Sequence, residues 1–321
     1  MLHKVKYSKP EDEFNDLGLG TKFSEQKQRL IDRNGEFNVQ KKGMPFSTSF
    51  SIYHELISMS WWKFNLLVLI SYVTINLAFA FLYLTIGVEQ LEGIRSISSY
   101  DKFWDAFFFS GQTLTTVGFG RISPLGFQAS SLAAVESMLG LLGFALATGL
   151  LYGRFSRPNA KLIYSHNALI SPYRDINGFM FRIINARRNQ LIEMDVQVVF
   201  SRLEIADGKA MRRYYPLDLE RSRVNFFPLS WTIVHPITRE SPLYNCSADE
   251  LRESDAEVLI MIKAFDDAFS QTVHSRSSYM FNEIICGAKF DNVFTNKPGE
   301  KTVFDMTKFH RYHKVELKGD L

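Results

Sequence analysis

The sequence predicts an α+β membrane protein: two transmembrane helices around a re-entrant half-span, followed by an all-β, immunoglobulin-like sandwich on the cytoplasmic side. Three observations carry this. From Phe64 to Val88 there is no charged residue, and a run of that length crosses the hydrocarbon core of a bilayer as a helix of about 20 residues with some tilt. From Ile122 to Gly153 the only charge is Glu136, with Arg121 and Arg154 as its borders. After Pro158 the period changes to two, with Ile192, Met194, Val196, Val198 and Phe200 alternating with Glu193, Asp195 and Gln197.

With 321 residues, 46% of them hydrophobic, the chain has apolar material for a large core or for spans plus a domain, and position along the chain decides between them. A net charge of +3 with no basic stripe argues against a nucleic-acid partner. Cys246 and Cys286 lack metal-ligand spacing and imply no disulfide framework, as in a reduced compartment. Residues 1–45, dotted with Lys, Glu and Asp early on and without the apolar core of a signal peptide, are expected to be a cytoplasmic N-terminal segment.

The elements follow in order. Residues 46–58 place Phe46, Phe50, Tyr53, Leu56 and Ile57 at helical spacing, opposite Ser47, Ser51, His54, Glu55 and Ser58. This predicts an amphipathic helix lying in the membrane interface. A membrane domain over 59–157 contains a first span at 62–86, a short helix at 103–114 too short to cross, and a second span at 126–155. Lys41, Lys42 and Lys63 precede the first span and Arg154, Arg157 and Lys161 follow the second, so both termini are expected on the cytoplasmic side. Residues 158–321 form the sandwich, with strand-like runs at 179–184, 231–234, 258–262 and 284–290. A hairpin signal stands at Asp207-Gly208, and a short helix is expected over 248–254 after Ser247.

The chemistry concentrates in Thr116-Val117-Gly118-Phe119-Gly120, directly after the half-span. Irregular backbone at membrane depth is tolerated only where it is buried in protein or lines a water-filled path, because unpaired carbonyls in lipid cost several kcal/mol each. Rings of such carbonyls, with the Thr116 hydroxyl adding one more, replace the water shell of a potassium ion, and Gly118 and Gly120 permit the angles that aim successive carbonyls the same way. Four chains are needed to close the rings.

The string TTVGFG resembles the potassium-channel signature sequence, with Phe119 where many members carry Tyr. The whole stretch from Gln28 to Val315 resembles inward-rectifier potassium channels, especially their bacterial branch. Six ordered motifs carry the likeness: RLIDRNGEFNV, FWDAFFFSGQTLTTVGFG, TGLLYGRFSRP, SHNALIS, SPLYN and SRSSY. The resemblance implies a homotetramer that conducts K+ passively, with no cofactor, in the bacterial inner membrane. Gly140, Phe144, Thr148 and Tyr152, which share one slowly turning helix face, would point toward the pore axis. Phe144 and Thr148 would line the cavity, Tyr152 would close the pore or else stand in the interfacial aromatic belt, and Gly149 would be a bending point. Phe144 replaces the acid that holds Mg2+ or polyamines in strong rectifiers, so such block is expected to be weak. Gln112 stands where many animal members place a Glu paired with an Arg like Arg121. Glu136, an intramembrane acid, is expected either to brace the back of the filter or to be simply a buried, hydrogen-bonded side chain. Lys63, Arg154 and Arg157 match positions that contact anionic lipid headgroups, and a plain positive-inside role accounts for them as well. Phe265, Asp266 and Asp267 match a loop narrowing the cytoplasmic pore, where the two acids would attract cations or stand as solvated turn residues.

Two other classes compete. A membrane-anchored β-sandwich that binds a partner uses the two spans but has no need of TTVGFG. An enzyme fails on content, since the seven histidines and the acids form no nucleophile motif, metal spacing or phosphate loop. The sequon at Asn245-Cys246-Ser247 is silent on the cytoplasmic side.

Overall fold

In the computed structural model, which describes residues 29–38, 51–94, 98–156, 160–187, 189–206, 209–227, 229–295 and 303–319, the chain divides into two units. One is Lys42–Arg157, and the other joins the N-terminal stretch to Pro158–Leu321.

The first unit is helical. Helix α1 spans Ile52–Ser58. Ser51, expected inside this helix, is instead extended (φ −103°, ψ 104°) and caps it, its hydroxyl accepting from the His54 N–H. Helix α2 is Trp61–Ile86 and stops at Gly87, whose φ of 109° no longer fits a helix. Helix α3 is Ser99–Leu114. It begins before the apolar run at Phe103 because Ser98 caps it and Asp101 sits in its first turn, where a negative charge meets the positive end of the helix dipole. Those polar residues hid its start from a reading based on apolarity. Helix α4 runs from Gly126 to Phe155 without a break.

Helices α2 and α4 are long and apolar enough to cross a membrane, and Leu66 to Ile70 and Leu141, Leu142 and Leu146 lie exposed on them. The three long helices meet in a cluster of Phe79, Ala80, Tyr83, Ala106, Phe109 and Ala129. Strands β1 (Leu91–Glu92) and β2 (Ser123–Pro124) pair antiparallel and tie together the loops flanking α3.

The second unit is a sandwich of two five-stranded sheets. Its strands are β3 (Leu162–Tyr164), β4 (Ala168–Tyr173), β5 (Ile176–Asn185), β6 (Leu191–Ala206), β7 (Lys209–Pro216), β8 (Arg223–Phe227), β9 (Ser230–Ile237), β10 (Glu257–Asp266), β11 (Gln271–Met280) and β12 (Ile284–Cys286). One sheet has the order β11-β10-β6-β7, with β8 also on β6. The other has β12-β4-β5-β3, with β9 on β5, and its β12–β4 pair is parallel. Phe179, Phe181 and Ile183 of β5 face Met194, Val196, Val198 and Phe200 of β6 and Val258, Ile260 and Ile262 of β10 in one core. Helix α5 (Ala248–Glu253) carries a capping box between Ser247 and Glu250.

The period of two fails at the start of β6. Leu191 is buried and Ile192 is not, because Glu193 adopts a left-handed conformation (φ 49°) and the pairing with β10 shifts there. This is a bulge, which sends the preceding side chains to the other face. The strand run at 284–290 is likewise split by Gly287 (φ 68°).

The N-terminal stretch is not separate from the sandwich. Ile31 bridges Phe37 around a turn at Gly35, and Leu30 and Ile31 are buried, Leu30 clustering with Tyr214 and Leu259. The buried Glu257 carboxylate accepts the N–H groups of Leu30 (2.9 Å) and Ile31 (3.3 Å), while Arg29 donates to Ser278 O and Glu283. Cys246 and Cys286 are free thiols, and burial pushes the former up to about 11. Phe46, Phe50, Arg157 and the Asp207-Gly208 turn lie outside the described residues.

Candidate functional site

The C-terminal end of α3 hands its carbonyls to the segment that follows. Gly111 O accepts the Thr115 N–H (3.2 Å), Thr113 O that of Thr116 (3.1 Å) and Gln112 O that of Val117 (3.0 Å). Beyond this anchor the handedness alternates: Thr116, Gly118 and Gly120 have φ of 59°, 54° and 78°, whereas Val117 and Phe119 stay at negative φ. In an ordinary strand successive carbonyls point to opposite sides. Alternating left- and right-handed residues bring them toward one side. Glycine supplies two of the three left-handed positions at no steric cost, and nothing lies within 4 Å of a Cβ built on either, so backbone angle rather than crowding demands them. The strained third position, Thr116, carries a side chain and was not foreseen from residue type.

Residues 115–120 are exposed in the single chain although they sit between two spans. Their C-terminal end is fixed by an ion pair between Arg121 and Asp105 of α3, so Arg121 finds its partner at Asp105 and not at position 112.

Behind α3 lies a polar cluster. Glu136 of α4 is fully buried, accepts the Tyr83 hydroxyl of α2 (2.7 Å) and contacts the Ser110 hydroxyl of α3. Ser110 Oγ also lies 3.0 Å from Asn76 Oδ1, and Asn76 donates to Tyr72 O (2.8 Å). Glu136 is thus a buried, hydrogen-bonded acid in contact with α3, the helix that precedes residues 115–120.

Along α4, Gly140 departs from the expected stripe. A Cβ there would stand 1.9 Å from Leu114 O, so Gly140 lets the helix cross the end of α3 and does not face open space. Phe144, Thr148, Gly149 and Tyr152 are exposed, Phe144 and Tyr152 each at 74%. Leu141 and Leu146 are exposed as well. Gly149 sits in unbroken helix with nothing within 4 Å of its Cβ position.

The basic candidates separate. Arg154 is only 9% exposed: its guanidinium donates to Leu56 O and Met59 O (2.6 Å each) and lies over the rings of Trp61 and Phe64. It clamps the end of α4 to the α1–α2 junction, which corrects the expectation of a side chain offered to headgroups. Lys63 is exposed beside the Trp62 ring.

The hairpin between β10 and β11 holds the remaining candidates. Phe265 is half-buried and paired with Thr272. Asp266 is fully buried, accepting from Asn189 Nδ2 (2.6 Å) and from the Ala268 N–H (3.1 Å), so it holds the turn and is neither solvated nor presented to cations. Asp267 is exposed. Among the described residues no group of three or more His, Cys, Asp or Glu is placed to hold a metal.

The comparisons divide the chain as the structure does. Residues 67–156 match the ion channel family model, and residues 162–319 match the inward rectifier potassium channel C-terminal domain. The inward rectifier potassium channel Kirbac3.1 of Paramagnetospirillum magnetotacticum is 39% identical over 293 residues, covering 91% of this chain and 98% of the relative. A mouse G protein-activated inward rectifier potassium channel 4 is 27% identical over 317 residues, covering 91% of this chain and 74% of its own length. A chicken ATP-sensitive inward rectifier potassium channel 12 is also 27% identical, over 331 residues, covering 94% and 76%.

Proposed function

The chain belongs to the inward rectifier potassium channels, membrane channels and not enzymes, and on that premise we propose that four copies form a pore in the bacterial inner membrane, both termini cytoplasmic, conducting K+ passively through Thr116–Gly120. One observation carries the reading: a backbone segment of alternating handedness, exposed in the single chain yet set between two spans. Such a segment is stable in a bilayer only if copies of itself and a file of ions or water cover it. The ion is cargo, and no cofactor is needed.

Closure is assigned to Tyr152 on the last turns of α4, with bending at Gly149, and control to the sandwich unit. Anionic lipid acts on the exposed Lys63 and on Arg157, each basic group near such a surface being worth about 1 kcal/mol. Arg154 contributes by holding the end of α4 in place. Phe144, an uncharged side chain, gives intracellular Mg2+ and polyamines a weak hold.

The test is flux from liposomes containing the purified protein, at several contents of anionic lipid. Rubidium and potassium uptake that outruns sodium and changes with lipid content is the expected result. A protein that assembles in the liposomes and passes no cation is an anchor for its sandwich.

A further inference from the structure

We propose that Asn76, Tyr83, Ser110 and Glu136 are positioning residues: a buried polar tether across three helices that holds α3 at the rotation its filter needs, and so sets ion selectivity. The inference rests on the channel reading above and adds to it the group that tunes the filter from behind.

All four side chains are essentially sealed from solvent, at 1% exposure or less, and each helix supplies at least one of them. An apolar cluster of Phe79, Ala80, Ala106 and Phe109 already packs these helices, so attachment alone does not require polar groups there. What hydrogen bonds add over apolar contact is direction, because they weaken steeply away from their preferred geometry. Ser110 lies one residue before Gly111, and the carbonyl oxygens of Gly111, Gln112 and Thr113 accept the N–H groups of Thr115, Val117 and Thr116 respectively. Turning α3 about its axis therefore moves the inner end of the filter directly. One turn beyond Glu136 on α4, Gly140 closes this same end of α3 against Leu114 O, and Gly111 has room for only a light approach to Tyr72, a Cβ there standing 3.0 Å from the Tyr72 Oη.

No cation pairs with Glu136 among the described residues, so its part is hydrogen bonding and not ion pairing. The Ser110 hydroxyl has one proton and two facing acceptors, Glu136 Oε1 and Asn76 Oδ1. A glutamine amide at 136 would donate to Ser110 Oγ, free the Ser110 proton for Asn76, and still accept the Tyr83 hydroxyl. The conservative change thus preserves the tether, and an apolar residue of similar size breaks it.

The experiment compares rubidium and sodium flux, per assembled tetramer, for the wild type and for Glu136→Gln, Glu136→Leu, Ser110→Ala and Tyr83→Phe in the same liposomes. The tether predicts a preference within twofold of wild type for Glu136→Gln, and a loss of tenfold or more for Glu136→Leu and Ser110→Ala. Tyr83→Phe, which keeps the ring and loses one hydroxyl, falls between them by about threefold and decides the matter if the other variants do not assemble. Unchanged preference in assembled Tyr83→Phe and Ser110→Ala overturns the proposal, as does Glu136→Gln failing as badly as Glu136→Leu. A wild type without preference defeats the channel reading itself, a result distinct from selective wild type with indifferent variants.

Discussion

Gly118 holds φ at 54° with free space around its Cβ position, so a methyl group there meets no neighbour within its own chain and strains the backbone. The left-handed conformation costs a non-glycine residue about 1–2 kcal/mol, and a tetramer carries that cost four times at one ring. Gly118→Ala is expected to assemble normally and lose potassium-selective flux, which flux per tetramer checks. Gly140 is the opposite case: its angles are ordinary and its space is taken by Leu114 O. Gly140→Ala is expected to force α4 away from α3 and lower tetramer stability by about 1–3 kcal/mol, the usual cost of overpacking, read as a drop in the melting temperature of the assembly. The sequence made the first glycine legible, since a string of fixed pattern between two spans requires special backbone angles. The second was legible only as a place in a stripe, because a close approach between helices leaves no mark on either one alone. Thr116 in the left-handed region was invisible for a related reason: residue type signals permission for positive φ, and threonine gives none.

Helix α4 runs unbroken past Gly149 to Phe155, and its last turns are held by Arg154 on the carbonyls of Leu56 and Met59 and by α1, where Tyr53 Oη comes within 3.1 Å of a Cβ built on Gly153. The end of α4 is thus tied to α1, while Tyr152, just before Gly153 and Arg154 in sequence, is exposed. On the proposed tetrameric reading, four such rings around an axis would make a narrow constriction that expels water. Tyr152→Ala is expected to raise resting potassium flux severalfold per tetramer while leaving the preference over sodium untouched, since the filter is built elsewhere. Unaltered flux with a less stable assembly would mark Tyr152 as a lipid-facing aromatic instead. Element by element, long apolar runs read well because length and composition define a span. The start of α3 and the face of β6 read poorly. Both errors have local polar causes, the Ser98 cap in one and the left-handed Glu193 in the other, which apolar periodicity does not register.

At the scale of the molecule, the two units carry different kinds of information. Two apolar spans, a half-span and alternating strands were readable as a sequence of patterns, but the docking of residues 29–38 on the sandwich was not. Leu30 and Glu257 are 227 residues apart, and nothing in either stretch names the other. Burial pushes the Glu257 carboxyl above the ordinary carboxylate range while the Leu30 and Ile31 N–H groups pull it back. Glu257→Ala leaves both N–H groups unpaired, a cost of about 1–3 kcal/mol, and faster hydrogen exchange at those two amides, by roughly tenfold for each 1.4 kcal/mol, is the expected consequence. The same long-range blindness covered Asp266, whose partner Asn189 lies on another loop and turns an apparent surface acid into a buried one. The central claim is that Thr116–Gly120 of four chains forms a potassium-selective filter, and the most direct test is the reversal potential of purified tetramers in a planar bilayer with potassium on one side and sodium on the other. The account predicts a reversal potential close to that of a potassium electrode, abolished in Gly118→Ala. A value near zero in the wild type, with current flowing, would contradict it.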